Sequence, residues 1–184
     1  MKDQQKKTNL ARKSEMNLLI REINENDPAI ISNAFLEQGW VKPKDQFEGY
    51  IIEQRNGERV TLIAEIDGTF AGYVNVLWNS YYQAFREHNV PEINDFNILI
   101  KYRGLGIGSK LMDRAEEMIK ERSPVAGIGV GLFADYGIAQ ALYVKRGYIP
   151  DGKGIHNGQR YISSGDTVVI DDDVVLYFTK KLSD

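Results

Sequence analysis

A chain of 184 residues is long enough to bury a sizeable core and is read as one domain of ordinary globular composition. Its formal net charge of −3 and pI of about 5.5 leave no global basic footprint for nucleic acid. Zero cysteines exclude disulfides, thiolate zinc sites and a cysteine nucleophile; the two histidines, His88 and His156, are too isolated for a metal cluster, so no metal is expected.

Residues 1 to 14 are polar with five Lys or Arg and are expected to form a flexible leader, a short docking helical arm being the alternative. They lack the apolar region of a secretory signal, and no stretch approaches the roughly 20 apolar residues of a membrane span. A cytoplasmic protein without membrane or nucleic-acid partners is the expectation, with residues 15 to 184 as its one folded domain.

Leu18-Leu19-Ile20 with Arg21, Glu22 and Ile23 reads as a first strand. Asn26-Asp27-Pro28 starts a helix, with Asp27 as cap and Pro28 in the first turn, that runs to Gly39. A second helix is expected from Asp45 to Arg55. Val60 to Ile66 and Thr69 to Leu77 read as strands joined by a tight Asp67-Gly68 turn. An aromatic-rich connection holds Trp78, Tyr81, Tyr82, Phe85 and His88, and Pro91 to Ile100 reads as the next strand.

From Ile107, apolar residues recur at Leu111, Met112, Ala115, Met118 and Ile119, one face of a helix that Ser123-Pro124 stops. Val125 to Phe133 reads as a glycine-rich strand. Tyr136 to Arg146 reads as a short helix with Ile138, Ala139, Leu142 and Tyr143 on one side and Gly147 at its end. A polar glycine-rich segment follows from Pro150 to Asp166. The closing strands are expected at residues 168–170 and from Val174 to Phe178. The order β-α-α-β-β-β-α-β-α-β(-β) implies an α/β (α+β) mixed sheet, not a doubly wound parallel one.

Between the strand ending at Ile100 and the helix beginning at Ile107 lies Arg103-Gly104-Leu105-Gly106-Ile107-Gly108. A glycine turn at a helix N-terminus suits an anion, because free amides and the helix dipole both point at it. A dinucleotide fits poorly: Ser109 stands where G-x-G-x-x-G needs its last glycine, and the next strand carries no acid for a ribose. A nucleotide P-loop fits worse, since Ser109-Lys110 is reversed and displaced. The pyrophosphate of coenzyme A remains.

Arg103 to Gly108 resembles the R/Q-x-x-G-x-G/A motif of the GNAT superfamily, the GCN5-related N-acetyltransferases. Ala139-Gln140-Ala141-Leu142-Tyr143-Val144-Lys145-Arg146-Gly147-Tyr148 resembles that family's A-x-x-L-Y-x-x-x-G-F/Y motif. With the element order, the resemblance covers residues 17 to 180. It implies a mixed, mostly antiparallel sheet of six to seven strands flanked by about four helices and splayed between the fourth and fifth strands. It implies acetyl-CoA as cosubstrate, with Ile98, Leu99 and Ile100 supplying backbone contacts to pantetheine. The amides of Arg103, Gly104, Leu105, Gly106, Ile107 and Gly108, with Ser109, would hold the pyrophosphate.

By the same resemblance, Tyr143 lies near the coenzyme sulfur and protonates the leaving thiolate; a core aromatic is the plainer account. Tyr148 is expected to pack. Glu92, six residues before Ile98, shares a face with Asn94 and Phe96 and is the candidate base acting through water. A solvated residue at a strand start is the alternative for it, and Asp95 points to the opposite face. Tyr136 stands where the family often has Asn; it would stack on the coenzyme or cap the turn. The glycines from Gly127 to Gly131 either admit a close approach or relieve crowding.

The function this implies is acetyl transfer from acetyl-CoA to a primary amine by direct attack in a ternary complex. Aromatic residues, with Trp40 among them, line the loops on the acceptor side, and Glu87 and Asp171-Asp172-Asp173 favour a small cationic amine such as an aminoglycoside or polyamine. A solvated turn is the other account of the three aspartates. The alternatives are a non-catalytic acyl-CoA-binding or regulatory module and a protein (N-terminal or lysine) acetyltransferase. A homodimer is the assembly to test.

Overall fold

A computed structural model describes residues 16–182; the expected N-terminal leader lies outside the described residues. The strands are β1 (Leu18–Glu22), β2 (Arg59–Ile66), β3 (Thr69–Leu77), β4 (Glu92–Ile98), β5 (Val125–Gly131), β6 (Ile149–His156) and β7 (Val175–Lys181). The helices are α1 (Asp27–Glu37), α2 (Lys44–Arg55), α3 (Gln83–Glu87), α4 (Ile107–Lys120) and α5 (Gly137–Lys145). One seven-stranded sheet has the order β1-β2-β3-β4-β5-β7-β6.

The β2–β3 turn follows from its dipeptide: Asp67 at φ +50° and Gly68 at φ +77° supply the two positive φ values that a type I′ hairpin requires. β1 lies antiparallel to β2, from Leu18 opposite Ile66 to Glu22 opposite Leu62. β5 and β7 are antiparallel along their whole length, from Val125 opposite Lys181 to Gly131 opposite Val175. β4 and β5 are parallel, and their register comprises two pairs, Glu92 with Gly127 and Ile93 with Ile128.

The described chain divides into two compact units. One holds the residues up to Val76 together with Asp95–Ala115, and the other holds Leu77–Asn94 with the residues from Glu116 onward. The first unit packs Ile23, Ile31, Phe35, Phe47, Ile51, Ile63, Phe70, Tyr73 and Leu99 into one core. Tyr73, fully buried, receives the edges of Phe35 and Phe47 at centroid distances of 5.9 and 5.3 Å. The second unit is built round Tyr82, Ala84 and Phe85, with Val90 and Tyr177 against them.

Several elements depart from the sequence reading. β6 is a strand where a polar segment was expected; Pro150, Gly152 and Gly154 all argue against one, and pairing with β7 overrides them. Its register slips between Pro150 and Ile155, where Gly152 and Gly154 take φ of +82° and +84°. Residues 168–170 form no strand, and Val169 and Ile170 are exposed. β4 ends at Ile98, and Ile100–Tyr102 turns into a 3₁₀ helix. The aromatic connection contains α3. Asp27 does not cap its helix amides: its carboxylate accepts from the Asn24 amide at 2.7 Å and from both terminal nitrogens of Arg21 at 2.7 Å. On α5, Tyr143 is buried with Ala139 and Leu142 half-buried, whereas Ile138, expected on the same side, is 77% exposed.

Candidate active site

In the first unit the glycine turn runs straight into α4, which Ile107 begins. Gly104 and Gly106 adopt φ of +76° and +86°, conformations that disfavour any side chain, and the space beside Gly104 is open. Gly108 serves a different purpose, since a Cβ there would stand 2.9 Å from the ring of Phe96. α4 buries Ile107, Leu111, Met112, Ala115 and Ile119 as its spacing demands, which fixes the direction of its axis.

Around this turn the backbone of residues 98–100 already has partners. The Leu99 amide donates to the carbonyl of Ala71 at 2.9 Å, and the Ile100 amide to Oε1 of Gln38 at 3.0 Å. The Ile98 carbonyl accepts from Nε of Arg103 at 3.2 Å, and that guanidinium lies 5.4 Å from the ring centre of Trp40. Trp40 is placed by the end of α1. Its amide bonds to the Phe35 carbonyl, the Gly39 amide bonds to that of Leu36, and the Trp40 ring stacks on Phe35 at 6.1 Å. This is a Schellman ending with its apolar contact.

Asp95, on β4, holds a positive φ of +44° and gathers donors from its own strand, from β3, from α2 and from the loop before α2. Its carboxylate accepts from Lys42 at 2.9 Å, Gln46 at 3.1 Å, Tyr50 at 2.8 Å, Tyr73 at 2.6 Å and Asn97 at 2.8 Å. Burial and the charge of Asp95 push the phenols of Tyr50 and Tyr73 well above the ordinary range. Asp95 thus ties residues 42–50 to β3 and β4, away from the face that carries Phe96 and Ile98.

The second unit holds Glu92, Tyr136 and Tyr143. Tyr143 is buried, and its phenol is pushed well above the usual range by desolvation, with Tyr136 adding to it. Two residues beyond α5 lock it: the Tyr148 amide donates to the Tyr143 carbonyl at 3.0 Å and the Gly147 amide to the Val144 carbonyl at 3.0 Å. Gly147 has φ +88°, and the Tyr148 ring meets Tyr143 at 6.1 Å. The Gly-Tyr at the end of the motif is therefore a second Schellman cap, and Tyr148 packs.

Glu92 is not a solvated strand end; it is 4% exposed. Its Oε2 accepts from the Ser80 hydroxyl at 2.5 Å, and Asn94 reaches Oε1 at 3.4 Å. Nearby, Tyr82 stacks on Tyr177 at 3.7 Å, and its hydroxyl donates to Asp151 at 2.8 Å and meets the Tyr161 hydroxyl at 2.8 Å. His156 completes this aromatic group, 5.4 Å from Tyr82 and 5.1 Å from Tyr161. The Tyr136 hydroxyl donates to Asp172 at 2.8 Å, so the acidic turn of residues 171–173 is tied to this unit through one of its members.

The glycines of β5 are sockets for these rings. A Cβ would stand 2.3 Å from Phe85 at Gly127, 3.0 Å from Tyr177 at Gly129 and 2.5 Å from Tyr136 at Gly131. Crowding is the reason for all three. Among the described residues no group of three or more His, Asp or Glu is arranged to hold a metal ion, and no helix is long and apolar enough to cross a membrane.

Residues 25–148 match the model of the acetyltransferase (GNAT) family. The chain belongs to the GNAT acetyltransferase family. An uncharacterised N-acetyltransferase of Archaeoglobus fulgidus is 36% identical over 89 residues, 48% of this chain and 58% of that protein, so the chain matches little over half of that relative's length. An acetyltransferase from Salmonella typhimurium, solved with its cofactor acetyl-CoA, superposes with a TM-score of 0.63 at 17% identity, over 90% of this chain and 94% of that one. A chimeric spermidine N-acetyltransferase from Vibrio cholerae superposes with a TM-score of 0.65 at 17% identity, over 90% and 95% of the two chains. These likenesses show the fold.

Sequence reasoning missed Ser80, Asp151 and Tyr161 as neighbours of the candidate residues. No periodicity links Ser80 to Glu92, twelve positions on, or Tyr82 to Asp151, sixty-nine on. Asp95 carried one legible signal, its place on the face of β4 opposite Glu92.

Proposed function

We propose that this GNAT protein is an N-acetyltransferase that moves the acetyl group of acetyl-CoA to a primary amine by direct attack. The observation that carries this reading is the turn before α4, where Gly104 and Gly106 hold left-handed φ at the start of a helix, the kind of N-terminus that suits a pyrophosphate. Arg103 to Gly108, with Ser109, would hold that group. The Ile98 carbonyl and Ile100 amide are bonded to side chains, which a ligand amide can replace; the Leu99 amide is bonded to backbone and stays with β3.

Catalysis needs a neutral amine and a protonated leaving thiol. An alkylammonium loses its proton only near pH 10, so a base must drain it. Glu92 takes that role: a carboxylate held in a buried place, supplied with a hydroxyl donor. The amine nitrogen forms the new C–N bond, the C–S bond breaks, the amine's proton goes to Glu92, and Tyr143 gives its phenolic proton to the thiolate sulfur. Burial keeps Tyr143 protonated throughout the neutral range, so the proton is present when sulfur needs it. Tyr136 flanks the coenzyme from the turn before α5.

A small cationic amine is the acceptor class. Asp151 and the acidic residues 171–173 supply charge on the unit that carries Glu92 and Tyr143, and the spermidine acetyltransferase named above shares the fold. Tyr143→Phe tests the central chemical role. Turnover should drop about 10²-fold or more with acetyl-CoA affinity retained, as for loss of a general acid. Unchanged turnover removes the acid role, and lost affinity makes Tyr143 a residue of the coenzyme site instead.

A further inference from the structure

We propose that the side chains of Gln38 and Arg103 stand in the coenzyme's own hydrogen-bonding places, and that acetyl-CoA binds by displacing both. This rests on the reading of residues 98–100 as the backbone that pairs with pantetheine. Within the trans peptide joining Ile98 to Leu99, the C=O and N–H point in opposite directions. The Leu99 amide is bonded to Ala71 of β3, so the Ile98 carbonyl faces away from that strand, where Nε of Arg103 meets it at 3.2 Å. The next amide, that of Ile100, donates to Oε1 of Gln38 at 3.0 Å. A carbonyl and an N–H of the kind a ligand amide pairs with are thus both filled by side chains of the same unit.

The Gln38 carboxamide can sit only one way round. A backbone N–H donates and never accepts, so Oε1 and not Nε2 must face Ile100. Nε2 is thereby turned to a place where it is buried with no hydrogen-bond partner among the described residues. The bond to Ile100 comes with an unpaired buried donor, and the cost of that donor offsets the worth of the bond. A side chain held on such terms is displaced at little cost.

Both stand-ins meet the end of α1. The Gln38 amide is held by the Phe35 carbonyl at 3.1 Å and Gly39 follows at φ +82°, so the backbone there is fixed and only side-chain torsions of Gln38 need change. Two residues on, the Trp40 ring stacks on Phe35 and lies 5.4 Å from the Arg103 guanidinium. The Arg103 side chain therefore reaches from the Ile98 carbonyl to the indole. Releasing its Nε moves the guanidinium relative to Trp40, which makes that ring a reporter of the displacement.

The test is binding, measured by calorimetry on the full chain. Its ligands are coenzyme A and phosphoadenosine diphosphate, the nucleotide half that has the pyrophosphate and lacks pantetheine. Gln38→Ala should tighten coenzyme A about three- to tenfold, the worth of one exchanged hydrogen bond, and leave the nucleotide half unchanged. Gln38→Met, which keeps the volume without the amide, should do the same and serves where the alanine variant fails to fold. Coenzyme A affinity unchanged or weakened in a folded variant overturns the proposal, and so does equal tightening of both ligands. In a Trp78→Phe chain, whose remaining tryptophan is Trp40, coenzyme A should shift the emission. Emission unmoved while calorimetry shows binding overturns the part given to Arg103. Binding of neither ligand to the unaltered chain removes the coenzyme reading itself.

Discussion

Tyr143 owes its place to Gly147 and Tyr148, which close α5 with a left-handed turn and bring a second ring against it. His156 is held as locally. Its Nδ1 accepts from the Gly158 amide at 3.0 Å, so protonation of that nitrogen removes an acceptor from the turn. Tyr82, Tyr161 and Tyr177 pack their rings around it, and Asp151 is the charged group that acts on it. Desolvation holds His156 below its ordinary value of 6.5, outweighing the upward pull of Asp151. The fold thus favours the neutral imidazole. That contribution is fully present above the unfolded-state value and is lost as pH falls through the folded-state value. Thermal unfolding measured from pH 8 downward should show wild type leading His156→Gln by a margin that narrows below 6.5. A margin independent of pH would mean that protonation costs this turn nothing.

At the scale of elements, β5 shows how composition and packing explain each other. Three glycines in alternate positions put three sockets on one face, filled by Phe85, Tyr177 and Tyr136. Gly127→Ala should cost about 1–3 kcal/mol in urea unfolding, the usual range for overpacking, and the loss should shrink in a Phe85→Leu background. An equal loss in both backgrounds would place the strain elsewhere. Elements with strong local signals were legible in the sequence. α4 follows from its apolar spacing, the β2–β3 turn from Asp67-Gly68, and the ends of α1 and α5 from Gly39 and Gly147. β6 was not, because Pro150, Gly152 and Gly154 oppose a strand and only the partner strand β7 supplies the reason for one. The triplet Val168-Val169-Ile170 errs the other way: β-branched residues without a partner form no strand. The candidate site divides likewise. Its motif residues are visible as spacing, whereas the Ser80–Glu92 bond and the Asp95 cluster depend on contacts across long stretches of chain.

For the molecule as a whole, the family's two motifs fall in different compact units. Residues 98–109 lie in the first; Glu92, Tyr136 and Tyr143 lie in the second. Each unit has its own aromatic centre, Tyr73 in one and the Tyr82–Tyr177 stack in the other. A formal charge of −3 would add weakly to the cationic preference proposed for the acceptor. The most direct measurement is thiol release from acetyl-CoA by the full chain, against spermidine, an aminoglycoside, lysine and an alanyl peptide, with alcohols as controls. Amine-dependent release far above the hydrolysis blank, led by the small polyamines and silent with the alcohols, is the expected result. A protein that binds acetyl-CoA yet releases thiol no faster with any amine than without one would contradict the assignment as an N-acetyltransferase.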